Sequence, residues 1–125
     1  MENRVRAGDR RAAKYLISRL SKLDGGDLED ALIALGQFSD KRMIEFLLFS
    51  KNGLLTDNEF KGALTMLPLS ISDDACAQVS LLRSRKHKID IVNRDDIIEP
   101  KRRAIDAISG FISEINSHLT AKSSC

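Results

Sequence analysis

Residues 30–48 read DALIALGQFSDKRMIEFLL, and this stretch decides the fold. Its apolar residues recur every three or four positions on both sides of a polar break at Ser39-Asp40, which is the spacing of two amphipathic helices. Serine and aspartate favour the position before a helix, because their side chains accept a free backbone N–H there. The stretch therefore predicts a helical hairpin whose second helix is capped at Ser39-Asp40.

Helical spacing continues on both sides of this hairpin. Asp9 is expected to cap a first helix, and Asp27 is expected to cap a second one after the break at Gly25-Gly26. After the hairpin, Thr56 and Glu59 have the spacing of a capping box, in which each side chain bonds the backbone N–H of the other residue. Four helices are thus predicted in the first half of the chain.

The second half of the chain is less regular. Segment 72–73 is expected to cap a fifth helix, and residues 85–99 are predicted as an irregular linker with a short extended part. Pro100 suits the first position of a long closing helix. Gly110 lies inside that helix, where glycine costs about 1 kcal/mol relative to alanine at an exposed site. Its presence indicates close packing against a neighbouring helix.

The chain also repeats itself at a fixed offset. Residues 8–12 align with residues 39–43 at an offset of 31, which is typical of helical solenoids. Each helix pair buries one face alone, and stacking the pairs buries the rest. We therefore expect one domain over residues 1–125, with repeats at 8–24, 27–51 and 56–84, an irregular linker at 85–99, a capping helix at 100–119 and a tail at 120–125.

Residues 30–48 resemble a HEAT-type repeat, in particular the short type of phycobilin lyase-like chains. In such repeats the first helix ends in Ala-Leu-Gly, matched here at Gly36. An aspartate then caps the second helix, with an arginine or a small residue two positions later, as at Asp40 and Arg42. The match is best over residues 8–50, and the third copy lacks both the glycine and the arginine.

This resemblance implies an all-α fold, a right-handed α-α superhelix of the HEAT/armadillo-like kind. About six helices would form one stack, closed by the long C-terminal capping helix. The second helix of each pair would line a concave face, and such faces usually bind proteins or peptides.

Composition supports an ordinary globular chain. The 125 residues are 42% hydrophobic and 30% charged, with a net charge of +2. No run approaches the roughly 18 apolar residues that cross a bilayer, and the charged N-terminal stretch does not have a secretory pattern. We expect a cytoplasmic protein without membrane association, in which Cys76 and Cys125 are reduced and Cys76 is a small core residue.

No residue pattern predicts catalysis. Neither His87 nor His118 has a cysteine at metal-ligand spacing from it. The glycines form neither a phosphate loop nor a dinucleotide fingerprint. The sequence therefore predicts no catalytic residue, metal site or cofactor, and no enzyme. The alternative, a lyase or a helical-repeat enzyme acting on nucleic acid, would need titratable groups that converge in one pocket.

Basic residues cluster at 83–88 and 101–103, with acidic residues between the two groups. The near-neutral total and the absence of tryptophan disfavour nucleic-acid binding, which nevertheless stays as an alternative. The favoured partner is one protein, bound by exposed side chains of the second helices and adjoining turns. The predicted partner-binding residues are Arg11, Lys14, Lys41, Arg42, Glu45, Asp74, Gln78, Arg85 and Lys86.

The most concrete functional hypothesis is a bacterial immunity or antitoxin-type inhibitor that occludes the active site of a cognate toxin. It rests on analogy between small free-standing helical-repeat proteins. An adaptor or assembly factor on the same scaffold is the alternative. The sequence leaves the oligomeric state open.

Overall fold

The computed structural model describes residues 2–119, which fold into seven α-helices, whereas the sequence predicts about six. Short 3-10 turns lie at Leu20–Lys22, Leu69–Ile71 and Asp95–Ile97. No strand occurs among the described residues, so the predicted all-α class and the long closing helix are confirmed. The helices are α1 (Glu2–Arg6), α2 (Arg10–Arg19), α3 (Gly25–Lys41), α4 (Met43–Lys51), α5 (Asp57–Thr65), α6 (Ala75–Asp90) and α7 (Ile98–Ser117).

Two long helices, α3 and α7, organise the packing. Helix α3 packs against α1, α4 and α5, and α7 packs against α4, α5 and α6. Helix α4 is joined to its neighbours by stacked phenylalanine rings: Phe49 on Phe38 of α3 at 5.6 Å, and Phe46 on Phe60 of α5 at 5.3 Å between centroids. One continuous apolar core runs from the first helix to the last.

Local capping signals are confirmed at two helices. The Asp9 carboxylate accepts the backbone N–H of Ala12 at 3.1 Å and caps α2. At α5 the Thr56 hydroxyl accepts the N–H of Glu59 at 3.1 Å, and the Glu59 carboxylate accepts the N–H of Thr56 at 2.9 Å. Both bonds of the predicted capping box are present. These two helices therefore begin where the sequence predicts.

The predicted caps of α3 and α4 are wrong. Helix α3 begins at Gly25, so Asp27 lies inside its first turn. It then continues through Ser39-Asp40 to Lys41, and α4 follows after the single residue Arg42. The Ser39 hydroxyl donates to the Gly36 carbonyl at 2.6 Å, and the Asp40 carboxylate is held by a distant arginine. Both polar side chains thus have partners other than the N–H groups of α4.

The linker predicted at 85–99 is wrong at both ends, because α6 extends to Asp90 and α7 begins at Ile98, two residues before Pro100. The predicted cap of α6 at 72–73 is also wrong, because Asp74 is the cap and its carboxylate accepts the N–H of Ala77 at 2.9 Å. At the other end of α6, the Lys101 ammonium donates to the carbonyl oxygens of Asp90 and Val92 at 2.9 and 2.8 Å. A cation at a helix C-terminus stabilises the helix dipole, which helps α6 to extend that far.

Two further expectations about single residues are wrong. Gly110 has no atom within 4 Å of the place where a Cβ would lie, so it is not a site of close packing. Cys76 is exposed in the first turn of α6 and is disulfide-bonded, whereas a buried thiol was expected. Cys125 and the predicted tail at 120–125 lie outside the described residues. No helix within residues 2–119 has the length and hydropathy to span a membrane.

The ion pairs of Asp57 predict that the stability of the fold depends on pH. Hydrogen bonds from Lys61 and then Arg103 lower the pKa of this carboxyl below its ordinary value of 3.8. Because the folded-state pKa is depressed, the ion pairs stabilise the fold above pH 4 and are lost as the pH falls through the folded value. Asp57→Asn is expected to lower the Tm slightly at pH 7, and calorimetry should show that this deficit shrinks as the pH falls below about 4. A deficit that keeps the same size as the pH falls would contradict this prediction.

Candidate functional site

A buried arginine fixes the two sides of the candidate site. The Arg85 side chain is 1% exposed, and its Nε and Nη2 atoms donate to the two carboxylate oxygens of Asp40 at 2.9 and 2.8 Å. Its Nη1 atom donates to the carbonyl oxygen of Leu64 at 2.8 Å. The guanidinium therefore ties α6 to the C-terminal ends of α3 and α5. Bidentate bonds of this kind set distance and orientation together.

Arg85 was predicted to bind a partner from the surface, and its burial makes that prediction wrong. A signal for burial was present in the sequence. Arg85 follows Leu82 by three residues and precedes Ile89 by four, which places it on the buried stripe of α6. The acceptors that make its burial possible, Asp40 and the Leu64 carbonyl, come from helices far away in sequence.

The bonds that Arg85 makes to Asp40 and Leu64 are called the Arg85 clasp below. A groove of about 480 Å³ lies beside this clasp, between the α3–α4 turn and the segment that follows α6. We call it the α4–α6 groove, and residues 40–45, 88 and 91–94 line it. Ile44 and Ile91 project from its walls and are 37% and 65% exposed. Large apolar side chains left in water at a concave surface are typical of a binding site.

A second groove of about 270 Å³ lies on the other side of α4, against α2. We call it the α2–α4 groove. Leu54, at 46% exposure, stands at its edge, after a turn in which Gly53 has a φ of +77°. The lining residues are Arg10, Arg11, Lys14, Glu45, Leu48, Phe49, Asn52 and Leu54.

Glu45 borders both grooves, so together they form one surface around α4, which we call the α4 face. Its charges are strongly biased: it has seven cations and two anions, whereas the rest of the chain has 13 basic and 16 acidic residues. Although the net charge of the chain is small, cations outnumber anions on the α4 face and anions outnumber cations elsewhere in the chain. The seven cations are Arg10, Arg11, Lys14, Lys41, Arg42, Lys88 and Arg94.

Both anions of the α4 face are already paired within the chain. Asp40 bonds Arg85, and Glu45 pairs with Arg10 at 3.0 Å. Among residues 2–119, by contrast, Arg11, Lys14 and Lys41 have no hydrogen bond or ion pair through their side chains. The face therefore presents uncompensated positive charge beside exposed isoleucine and leucine.

The structure brings together five of the predicted partner-binding residues and separates the rest. Asp74 caps α6, and the Gln78 amide donates to the carbonyl oxygens of Ile71 and Ser72 at 2.9 and 3.0 Å. These two residues and Lys86 line neither groove. Those that meet on the α4 face are Arg11, Lys14, Lys41, Arg42 and Glu45.

Arg42 has a structural contact besides its position on the face. Its Nε atom donates to the carbonyl oxygen of Gly8 at 3.2 Å, which joins the α3–α4 turn to the turn before α2. The sequence did not predict the exposed apolar members of the face, Ile44, Leu54 and Ile91. Helical periodicity alone groups such residues with the core, and it does not show which of them remain in water.

Within residues 2–119, no three His, Cys, Asp or Glu side chains are placed so that they could hold a metal ion. Polar groups that could position a ligand are instead the amide of Asn52 and the cations of the two grooves. No protein-family model, curated protein or solved structure matches the chain.

Proposed function

We propose that the chain is a non-catalytic binding protein whose α4 face binds an acidic surface of one protein partner. The observation that supports this most is the concentration of unpaired cations around exposed apolar side chains. Protein interfaces combine an apolar centre with a polar rim. Complementary charge steers the encounter and excludes wrong partners. Both elements occur together on the α4 face.

The architecture we propose is a HEAT-like right-handed superhelix in which α2, α4 and α6 are the second helices. Two observations support it: the internal offset of 31 residues, and the successive packing of α3 on α5 and of α5 on α7, as expected for one layer of stacked helices. In such a stack the α4 face would belong to the layer of second helices that usually binds partners.

In its most concrete form, the proposal is an immunity-type inhibitor that covers the active site of a toxin. A carboxylate-lined active site would offer the charge that the α4 face complements. An adaptor or assembly factor would use the same face on another acidic protein. A toxin-like reading frame directly upstream of the gene would favour the inhibitor.

Ile44→Asp tests the proposal at the α4–α6 groove. A carboxylate at this exposed position would meet the acidic partner and is expected to weaken binding at least about tenfold, which corresponds to about 1.4 kcal/mol. The measurement is chemical cross-linking of the tagged protein in its native cells, followed by quantitative mass spectrometry. The matched control is Leu69→Asp, which places the same charge at a 73% exposed leucine that lines neither groove.

A stoichiometric partner that is lost with Ile44→Asp and kept with Leu69→Asp is the expected result. Equal recovery by both variants would contradict the α4 face as the binding surface. Tight binding of the purified chain to DNA or RNA at physiological salt would favour the nucleic-acid alternative instead. Turnover of a substrate that is lost when one polar residue is replaced, without unfolding, would contradict a non-catalytic role.

A further inference from the structure

We propose that the α2–α4 groove is a specificity pocket for one large apolar side chain of the partner, flanked in the partner by acidic side chains. This inference rests on the proposed function of the α4 face. It goes further by naming the kind of peptide segment that the face selects. Three features of the groove support it: its apolar lining, its size, and the unfavourable placement of its cations.

The lining of this groove is apolar where a side chain would enter. Phe49 is buried at its base, Leu48 is half-buried and Leu54 stands at the rim. The volume of about 270 Å³ lies below the range of about 300–1,000 Å³ that is typical of pockets for drug-sized ligands. The groove therefore suits a single bulky side chain, which would cover the exposed surface of Leu54.

The cations at the rim are placed against the local electrostatics of α2. Arg10 and Arg11 lie in the first turn of this helix, which contains no acidic residue and is capped by Asp9, and Lys14 follows in the second turn. The N-terminal end of a helix dipole is positive and disfavours cations in the first turn, and the Asp9 carboxylate offsets part of this effect. Arg11 and Lys14 are also three residues apart, so they share one side of the helix and repel each other.

Only one of these three cations is compensated within the described chain. Arg10 pairs with Glu45, whereas Arg11 and Lys14 have no such partner. Carboxylates that flank the inserted side chain would relieve the repulsion at the moment of binding. An acidic protein segment supplies both parts, since it joins carboxylates and a large apolar side chain within a few residues. The Asn52 amide at the end of the groove could bond the backbone of such a segment.

The test is a titration of ¹⁵N-labelled protein with a blocked peptide, acetyl-Gly-Glu-Glu-Phe-Glu-Glu-Gly-amide, followed by backbone amide shifts. At about 0.1 M ionic strength, where the Debye length is about 10 Å, saturable shifts are expected at Lys14, Leu48 and Leu54. Replacing the peptide phenylalanine by alanine, or its glutamates by glutamines, is expected to weaken binding about tenfold.

Two protein variants locate the binding. Leu54→Ser removes the apolar rim, and the double variant Arg11→Gln with Lys14→Gln removes the unpaired cations. Each is expected to weaken peptide binding by about five- to tenfold. The control is Lys22→Gln with Arg83→Gln, which removes the same charge from exposed positions outside both grooves and is expected to keep the affinity. All variants alter exposed side chains and are therefore expected to fold normally. The backbone amide spectrum of each variant checks that it does.

Absence of saturable shifts would overturn the pocket assignment. So would equal binding of the phenylalanine and alanine peptides, or equal losses from the two double variants, because either result would indicate attraction by net charge alone. Partner capture separates this inference from the proposed function. If Leu54→Ser keeps the partner that Ile44→Asp loses, the pocket assignment fails and the α4 face remains. If both variants keep it, both proposals fail.

Discussion

Replacing Arg85 with methionine is expected to lower the free energy of unfolding by about 3 kcal/mol, measured by urea denaturation. Methionine fills part of the same volume but cannot donate hydrogen bonds, so the Leu64 carbonyl loses the bond from Arg85 and the Asp40 carboxylate keeps only its 4.0 Å ion pair with Lys88. Breaking a buried ion pair from one side costs about 3–5 kcal/mol. The lower end applies here because the Asp40 side chain remains 23% exposed and water can reach it.

Two companion variants separate this effect from the loss of a charge. Arg83→Met, two positions away on the exposed side of α6, is expected to change stability by less than about 0.5 kcal/mol. Asp40→Leu combined with Arg85→Met is expected to recover most of the loss, since apolar replacement of a whole buried pair is often neutral. Equal stability of the Arg85→Met and Arg83→Met variants would show that the clasp contributes little.

The same clasp also connects stability with the candidate site. Arg85 holds α6 against the C-terminal end of α3, and these two elements lead into the opposite walls of the α4–α6 groove. Loosening the pair would change the separation of Ile44 and Ile91. The Arg85→Met variant should therefore also bind a partner of the α4 face more weakly, even under conditions where it remains folded.

The parts of the fold that could be predicted from sequence depend on neighbours within one helical turn. The Asp9 cap and the capping box of Thr56 and Glu59 form between residues three apart, so spacing alone identifies them. Asp40 is also of a residue type that caps helices, so its position before an apolar stretch led to the wrong prediction that it caps α4. Its real partner, Arg85, is 45 positions away and becomes adjacent only through tertiary packing.

Part of the candidate site could be predicted from the internal offset of the sequence. Arg11 and Arg42 align at the offset of 31 residues, and both lie on the α4 face. Ile44 and Leu54 could not be identified, because periodicity marks a residue as apolar and helical but not as exposed. Their exposure depends on how the neighbouring helices pack around α4, which is a property of the folded structure.

Replacing Gly36 with alanine is expected to destabilise the fold by about 3 kcal/mol, an overpacking cost in a closely packed interior. A Cβ on Gly36 would clash with the carbonyl oxygen of Ala63 and would lie 3.1 Å from Nη1 of Arg85. The first contact is with backbone, so α5 itself would have to move away from α3. The expected loss exceeds the gain of about 1 kcal/mol that alanine brings to a helix interior.

Gly110→Ala is the matched control, and its expected effect has the opposite sign. Gly110 also lies inside a helix, but no atom is within 4 Å of the added methyl group, so the gain of about 1 kcal/mol is not offset. Gly62→Ala should fall between them, because its Cβ would lie 3.3 Å from a Leu32 side-chain atom that can rotate away. All three replacements add the same methyl group to a helix, so the order of their unfolding free energies depends on packing. If Gly36→Ala were as stable as Gly110→Ala, the close approach of α3 and α5 would be contradicted, and with it the position of the Arg85 clasp between them.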